Sequence, residues 1–336
     1  MMGMDVHAEQ ITICRRIEGQ LSQPAQRMSW EGAIEWIGRH VQAGAKVYSC
    51  YEAGPCGYGL HRQLAALGVT DYVVAPERLD RSGSRVKTDH RDAEQLCSRL
   101  NQYLGGDQHA FSVVRVPTPE EEQWRALCRH RDRLVRERQR CVVRGFGLML
   151  AQGVHAQKGW WHAGDWEEIR PTLAPWLCEQ IEQWRIDALR LEEQAQAVTK
   201  RIVSRSKTGP LIKGLGALTS ATLDSEIMDW GRFSGRRRAA SFSGLCPSER
   251  STNRHRRQGS ITRHGNPRVR HQLVEATWRL MCWQPHYKPL VKVRTAKGSR
   301  ARRRAVVAAA RHLMVDLWRI KSGQCTAEQL GLVLAE

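Results

Sequence analysis

Lys46-Val47-Tyr48-Ser49-Cys50-Tyr51-Glu52 is a short apolar, β-prone run that ends on an acid. Its length and its aromatic and β-branched content predict a buried strand, with Glu52 where the strand stops. Upstream, Gly3-Met4-Asp5-Val6 is followed by Ile11, Ile13 and Ile17 at alternating positions, which predicts a hairpin with one buried face. Trp30 to Val41 has helical spacing at Ile34, Ile37 and Val41. Downstream, Gly57 to Leu67 reads as a helix, and Asp71-Tyr72-Val73-Val74-Ala75-Pro76 as a strand closed by its proline. Strands alternating with helices predict an α/β domain over residues 1–117, its central sheet covered on both faces.

In such sheets reactive groups gather where strands end. Asp5 sits on the first predicted strand and Glu52 ends another. Asp89 and Asp92 open a predicted helix in Lys87-Thr88-Asp89-His90-Arg91-Asp92-Ala93-Glu94-Gln95-Leu96. A spacing of three places both aspartates on one helical face. Alone, that pair would only cap and charge a helix start. With two strand-end acids added, convergence on one site is the better reading. Clustered carboxylates hold Mg²⁺, which points to phosphodiester chemistry.

The charge balance agrees. The chain of 336 residues carries a net +19, yet residues 1–120 sum to −1 and the remainder to +20. A near-neutral first domain is thus followed by a basic, Arg-rich remainder suited to phosphate contact. The ten cysteines are scattered and form no CxxC pair, so no zinc ribbon or redox motif is expected. Asp5, Glu9, Arg15 and Arg16 exclude a secretory apolar core at the start, and no apolar stretch approaches the length of a membrane span. A cytoplasmic protein with no membrane partner is expected.

Residues 118–206 predict a long antiparallel helical pair. Pro119-Glu120-Glu121-Glu122 is a helix start, with an early proline and acids at the positive dipole end. In the second helix Leu177, Ile181, Trp184, Ala188, Leu191, Ala195, Val198 and Ile202 make a heptad seam, which predicts a coiled-coil partner. The first helix is crowded with arginines, among them Arg129, Arg133, Arg136 and Arg140. They read as a face that tracks a nucleic-acid backbone, with a solvated helix face as the competing reading. Trp160, Trp161, Trp166 and Trp176 read as core or interface anchors before base-stacking platforms.

Residues 207–325 predict a mainly helical C-terminal domain with a helix-hairpin-helix-like element around Leu211 to Leu218, where Lys213 stands beside Gly214 and Gly216. The stretch from Gly244 to Arg270 is polar, loop-like and rich in arginine and small hydroxyls. Arg250, Arg254, Arg256, Arg257, Arg263, Arg268 and Arg270 are its candidate phosphate contacts. A serine in such a loop becomes a nucleophile only with a base or a charged surround. On chemistry alone, serines that merely donate hydrogen bonds are the simpler reading. Helices over Leu273 to Trp283 and Ala305 to Ile320 flank a basic run from Lys288 to Arg304.

Gly3-Met4-Asp5-Val6-His7, Tyr51-Glu52-Ala53-Gly54, Lys87 to Ala93 and Gly244 to Arg270, in this order, resemble the transposases of the insertion-sequence one-ten family, the DEDD or bridge-RNA-guided recombinases. The likeness runs from Asp5 to about Trp318. It implies a RuvC-like (RNase H-like) first domain whose acid tetrad falls on Asp5, Glu52, Asp89 and Asp92, with Mg²⁺ as cofactor. It implies a coiled-coil middle used for assembly and guide-RNA contact. It also implies a transposase domain whose nucleophilic serine falls on Ser251, with Thr252 in reserve and Ser248 behind it. Family members usually carry glycine after that hydroxyl pair; here Asn253 and Arg254 stand there, and Asn tolerates a left-handed backbone. The implied partners are DNA (element ends and target), a structured guide RNA, and further copies of the chain in a homodimer or homotetramer that completes the site between protomers.

The alternatives are a RuvC-like, metal-dependent, structure-specific DNA nuclease, a site-specific invertase of the same family, and a non-enzymatic scaffold with a vestigial acid cluster.

Overall fold

Side chains alternate along the first strand, and that alternation sets the layering around it. The computed structural model describes residues 1–76, 88–206, 211–249, 251 and 257–335. The chain forms two compact units, Met1–Val116 and Pro117–Glu336. The first contains β1 (Met2–Val6), β2 (Gln10–Arg15), β3 (Gln26–Ser29), α1 (Trp30–Gln42), β4 (Tyr48–Glu52), α2 (Gly59–Ala66), β5 (Thr70–Val74) and α3 (Asp89–Leu104). The sheet order is β3-β2-β1-β4-β5. The pairs β1–β2 and β2–β3 are antiparallel, while β1–β4 and β4–β5 are parallel.

Met2, Met4, Ile11, Ile13, Tyr51 and Val73 share one buried cluster with Ile37 of α1 and Leu60 and Leu64 of α2. On the opposite face, Cys14 meets Ala93 and Cys97 of α3, and Cys50 and Val74 meet Leu96 and Leu100. The expected α/β sheet, covered on both faces, is therefore present. The strand β3 is absent from the sequence reading because Gln26-Arg27-Met28-Ser29 has no apolar alternation. It lies at the sheet's edge, where backbone pairing with β2 holds it. Ser29 also caps α1, accepting from Gly32 N at 3.1 Å.

Gly3 is where α3 comes closest to the sheet. A Cβ there would lie 2.2 Å from Cys97 N and 2.4 Å from Ala93 O, both backbone atoms that cannot step aside. Gly3→Ala therefore has to lift α3 off β1, at an expected cost of about 1–3 kcal/mol. A urea titration reads that as an earlier unfolding transition.

The second unit holds α4 (Pro119–Ala151), α5 (Ala163–Ile169), α6 (Pro175–Arg205), α7 (Ala217–Ile227), α8 (Arg236–Phe242), β6 (Pro247–Glu249), β7 (Gln258–Ile261), α9 (Pro267–Trp283), α10 (Val291–Thr295) and α11 (Ser299–Lys321). Thr118 and Glu121 form a capping box that starts α4. The helices α4 and α6 run antiparallel: Arg131 donates to Thr199 at 3.2 Å and Arg138 to Glu192 at 2.8 Å. Leu177, Ile181, Ala188, Leu191, Ala195, Val198 and Ile202 of α6 are buried. Clusters shared with Cys128, Leu134, Val142 and Met149 fill the seam from α4. The apolar seam of α6 is thus covered by α4, a helix of the same chain. Trp160 and Trp166 are buried core residues, and Gly145 leaves the space that the Trp160 ring fills. No helix among the described residues is long and apolar enough to cross a membrane.

Two features correct the loop reading of Gly244 to Arg270. The strands β6 and β7 pair antiparallel inside it. Then α9 begins at Pro267, six residues before Leu273, because Asn266 caps it by accepting from Arg268 N and Val269 N, with Pro267 at the first helical position.

One buried carboxylate ties α4, α7 and α9 together. Glu226 on α7 has a side chain 1% exposed. It accepts two bonds from Arg129, each 2.8 Å, and one of 2.7 Å from Asn266. Arg268 stands 3.7 Å away and also pairs with Asp132. Burial pushes the Glu226 carboxyl up, but hydrogen bonds from Arg129 and Asn266, with the charges of Arg129 and Arg268, outweigh it and hold it below its usual value. A carboxylate lowered in the folded state stabilises the fold above its unfolded pKa, and that contribution fades as pH falls through the folded value. Glu226→Ala removes the buried acceptor that Arg129 and Asn266 share and is expected to cost about 1–3 kcal/mol. Urea unfolding at neutral pH checks the loss. The gap between variant and wild type should narrow as pH falls through that lowered folded value.

Candidate functional site

Asp5 and Gly3 share one face of β1, and Glu52 and Cys50 share the matching face of β4. Met4 pairs with Tyr51 in parallel register, so Asp5 and Glu52 stand side by side at the carboxyl ends of neighbouring strands. This is the face that α3 covers: Gly3 lets its backbone in, and Cys50 Sγ donates to Leu96 O at 3.4 Å. The helix starts at Asp89, capped by Thr88, and carries Asp89 and Asp92 in its first turn. The sheet thereby sets Asp5 and Glu52 at one end of this face, and the start of α3 brings Asp89 to Asp5.

The tightest grouping among the described residues is Asp5, His7 and Asp89, whose ligand atoms all lie within 4.8 Å of one another. His7 Nε2 is 3.1 Å from Asp5 Oδ2 and 3.7 Å from Asp89 Oδ1. Arg27 on β3 donates to Asp89 Oδ2 at 2.8 Å. Glu52 and Asp92 are half-buried nearby and do not belong to that closest group. An open pocket lined by His7, Ala8, Glu9, Gln10 and Asp89 gives access. His7 itself is held by its backbone, since its N–H donates to Gln10 O across the β1–β2 turn and its carbonyl accepts from the Trp30 indole.

The sequence reading missed two members of this site. His7 had a visible signal, because it lies two positions after Asp5 and hence on the same side of the strand. Arg27 had none, because its strand was not legible.

Two carboxylates and an imidazole at this spacing fit a divalent cation. Carboxylate oxygens suit Mg²⁺ or Mn²⁺, and imidazole suits softer transition metals. The donor set therefore makes an acidic metal site that need not be confined to one ion.

In the second unit, Ser251 lies two residues beyond β6, exposed, and its hydroxyl donates to Glu249 at 2.7 Å. The loop that carries it is closed at its base. Thr262 N donates to Cys246 O at 2.8 Å and Asn266 N to Phe242 O at 2.7 Å. A Cβ on Gly265 would meet Gly244 N at 2.5 Å, so only glycine allows the two arms to cross there. Ser248 instead spends its hydroxyl on Ser260 O at 3.0 Å, bracing the β6–β7 pair. Thr252, Asn253, Arg250, Arg254 and Arg256 lie outside the described residues.

The remaining arginines divide by use. Arg129 and Arg268 are engaged with Glu226 inside the fold, and Arg270 donates to the carbonyls of Ser243 and Arg263. These three groups have structural work that the composition did not reveal. Arg133, Arg136 and Arg140 are exposed on one side of α4, at spacings of three and four. Arg257 and Arg263 are exposed, and Lys213 is exposed with its ammonium 5.4 Å from the Trp283 ring centroid.

Residues 211–292 match the family described as Transposase IS116/IS110/IS902. The chain is 29% identical over 298 residues to the y4rJ protein of Sinorhizobium fredii, whose name calls it a transposase, covering 80% of this chain and 75% of that one. It is 33% identical to the similarly named y4qE protein of the same organism, over 69% of this chain but only 58% of the relative's length. It is 25% identical to the transposase for insertion sequence element IS1533 of Leptospira borgpetersenii, over 83% of this chain and 84% of the relative.

Proposed function

The chain belongs to the IS116/IS110/IS902 family of transposases, and from that premise we propose that it cuts and rejoins DNA through a covalent phosphoserine link at Ser251. The observation that carries the reading is the meeting of Asp5, His7 and Asp89 at the open end of a sheet, in a chain whose basic excess lies elsewhere. The order β3-β2-β1-β4-β5, with antiparallel and parallel halves, supports a RuvC-like, RNase H-like assignment of the first unit.

Asp5 and Asp89 would hold Mg²⁺, with Glu52 and Asp92 completing the tetrad. Bound there, the ion supplies charge to a phosphoryl oxygen. His7 keeps Asp5 in place through its hydrogen bond, and Arg27 does the same for Asp89. Glu249, already accepting the Ser251 proton in a hydrogen bond, is placed to take it as the oxygen attacks phosphorus. The bond from phosphorus to the leaving deoxyribose oxygen breaks, that oxygen is protonated, and a serine phosphodiester remains. Attack by a second strand's hydroxyl reverses the step, restores the serine and rejoins DNA without ATP. The carboxylates and the serine belong to different units and serve different roles in that reaction.

The exposed Arg133, Arg136 and Arg140 support contact with a guide RNA or DNA backbone. With the α6 seam filled by α4, a homodimer or homotetramer is proposed from the family alone. The test is strand exchange between two differently labelled duplexes carrying the element's end and its target, with RNA transcribed from the flanking non-coding segment. Joined product carrying both labels is expected. Cut ends that never rejoin would instead establish the nuclease reading.

A further inference from the structure

The forty residues from Ala276 to Val315 contain ten Lys and Arg and no Asp or Glu. That is more than half of the chain's net +19 in about an eighth of its length. Folding sorts nine of these charges into two groups, and the tenth, Arg311, is half-buried on α11. Arg294 turns inward and donates to the carbonyls of Gln284 and Pro285, at 2.8 and 2.9 Å, closing the end of α9. Arg279 donates to Thr219 at 2.8 Å, and Arg302 lies 5.6 Å from the Trp278 ring centroid. The fold accounts for these three.

Lys288, Lys292, Lys297, Arg300, Arg303 and Arg304 are exposed, and their side chains make no hydrogen bond or ion pair among the described residues. Arg300, Arg303 and Arg304 stand at i, i+3 and i+4, on one side of α11. The buried stripe of that helix, Val306, Ala310, Leu313 and Leu317, begins only after these three arginines. Lys288 and Lys292 belong to the short helical turns that pack against α11, and Lys297 leads into it, so the six cations border one end of the helix.

A merely solvated face would mix signs, and here no acid is interleaved. The arrangement also works against α11. Cations in the first turns oppose the helix dipole, and Arg300 and Arg304 repel at i, i+4. A polyanion would offset both costs. Trp278 and Trp283, at 37% and 52% exposure, flank the region on α9, each with a cation over its ring.

We propose that this surface is a docking face for the backbone of duplex DNA, held through its phosphates and not through base edges. It lies largely beyond residues 211–292, the part matched by the family. The exposed side chains offer cations without the Asn, Gln, Asp or Glu that read several base edges. The inference rests on the transposase reading only for the expectation that the chain handles nucleic acid.

The test is fluorescence anisotropy of full-length wild type and the Arg300→Ala/Arg303→Ala/Arg304→Ala variant, across a salt series. One arm uses a duplex DNA of random sequence, one a duplex DNA of the element's end, and one a duplex RNA. Loss of three phosphate contacts is expected to flatten the slope of log affinity against log salt by about 2.7, equally for both DNA sequences. A reduced slope on both DNA duplexes bears the proposal out, and a slope reduced on the RNA duplex alone overturns it. Thermal unfolding should show the variant no less stable, because alanine favours the helix and removes charges that oppose its dipole. Wild type that binds duplex with a slope matched by the variant overturns this inference alone. Wild type that binds neither DNA nor RNA overturns it together with the transposase reading. A loss confined to the element's end overturns the claim that bases are not read.

Discussion

Asp89→Asn is expected to lose DNA strand cleavage by about a thousandfold while remaining folded. The divalent ion that Asp5 and Asp89 are proposed to hold is worth several kcal/mol to a phosphoryl transition state. About 4 kcal/mol corresponds to a factor of about 1,000 in rate. The amide keeps the shape of Asp89 but halves the carboxylate charge of the closest group. Stability changes far less. Asp89 pairs with Arg27 at 2.8 Å, but the two side chains are 33% and 49% exposed, and a pair of that kind contributes about 0–1 kcal/mol. The loss of an acid from the first turn of α3 adds about 0.3–1 kcal/mol. Cleavage of labelled DNA, read beside a denaturation curve, separates the two effects. Cleavage at the wild-type rate would remove Asp89 from the chemistry.

Ser251→Ala is the second large effect, and it divides the transposase from the nuclease. Removing a covalent nucleophile costs about 10⁴-fold or more, because no other group takes over bond formation. Ser251 is exposed, and among the described residues its hydroxyl bonds only to Glu249 two residues away, so unfolding should be unchanged. The neighbouring Ser248 cannot substitute, since its hydroxyl is bound to Ser260 O in the β6–β7 pair. The variant is expected to give neither cut nor joined DNA. Robust cleavage by Ser251→Ala would mean that water attacks at the carboxylates, and the serine would be only a hydrogen-bond donor.

How far the sequence revealed these sites depended on how local each signal was. The strand ending at Glu52, the hairpin carrying Asp5 and the helix opened by Asp89 and Asp92 were legible, because burial writes a period of two or of 3.6 into adjacent residues. The seam of α6 and its antiparallel pairing with α4 were legible for the same reason, but a heptad does not state whether a second chain is needed as well. The strand β3 was hidden because an edge strand can be held by backbone bonds with polar side chains on both faces. With it went Arg27. The start of α9 was written plainly in Asn266-Pro267 and was overlooked because the surrounding arginines suggested a loop. Arginine composition was the least informative signal. Arg129 and Arg268 look like Arg133 and Arg136 in the sequence, yet they close on Glu226, a partner 97 residues from Arg129.

Glu226 also shows why a basic composition overstates the binding surface. Part of the positive charge that follows residue 120 neutralises a buried carboxylate, and part closes the end of α9 through Arg294. Among the described residues, the exposed remainder includes Arg133, Arg136 and Arg140 on α4 and Arg300, Arg303 and Arg304 at the start of α11.

The central claim is the covalent serine link, and peptide mapping of DNA-bound protein tests it most directly. Wild-type chain is incubated with its element DNA and flanking RNA, denatured before rejoining is complete, digested, and sequenced by mass spectrometry. The account predicts a nucleotide joined through phosphate to Ser251, present in wild type and absent from Ser251→Ala and from Asp89→Asn. Cleaved DNA with free ends and no protein-linked nucleotide, or a link to a residue other than Ser251, would contradict it.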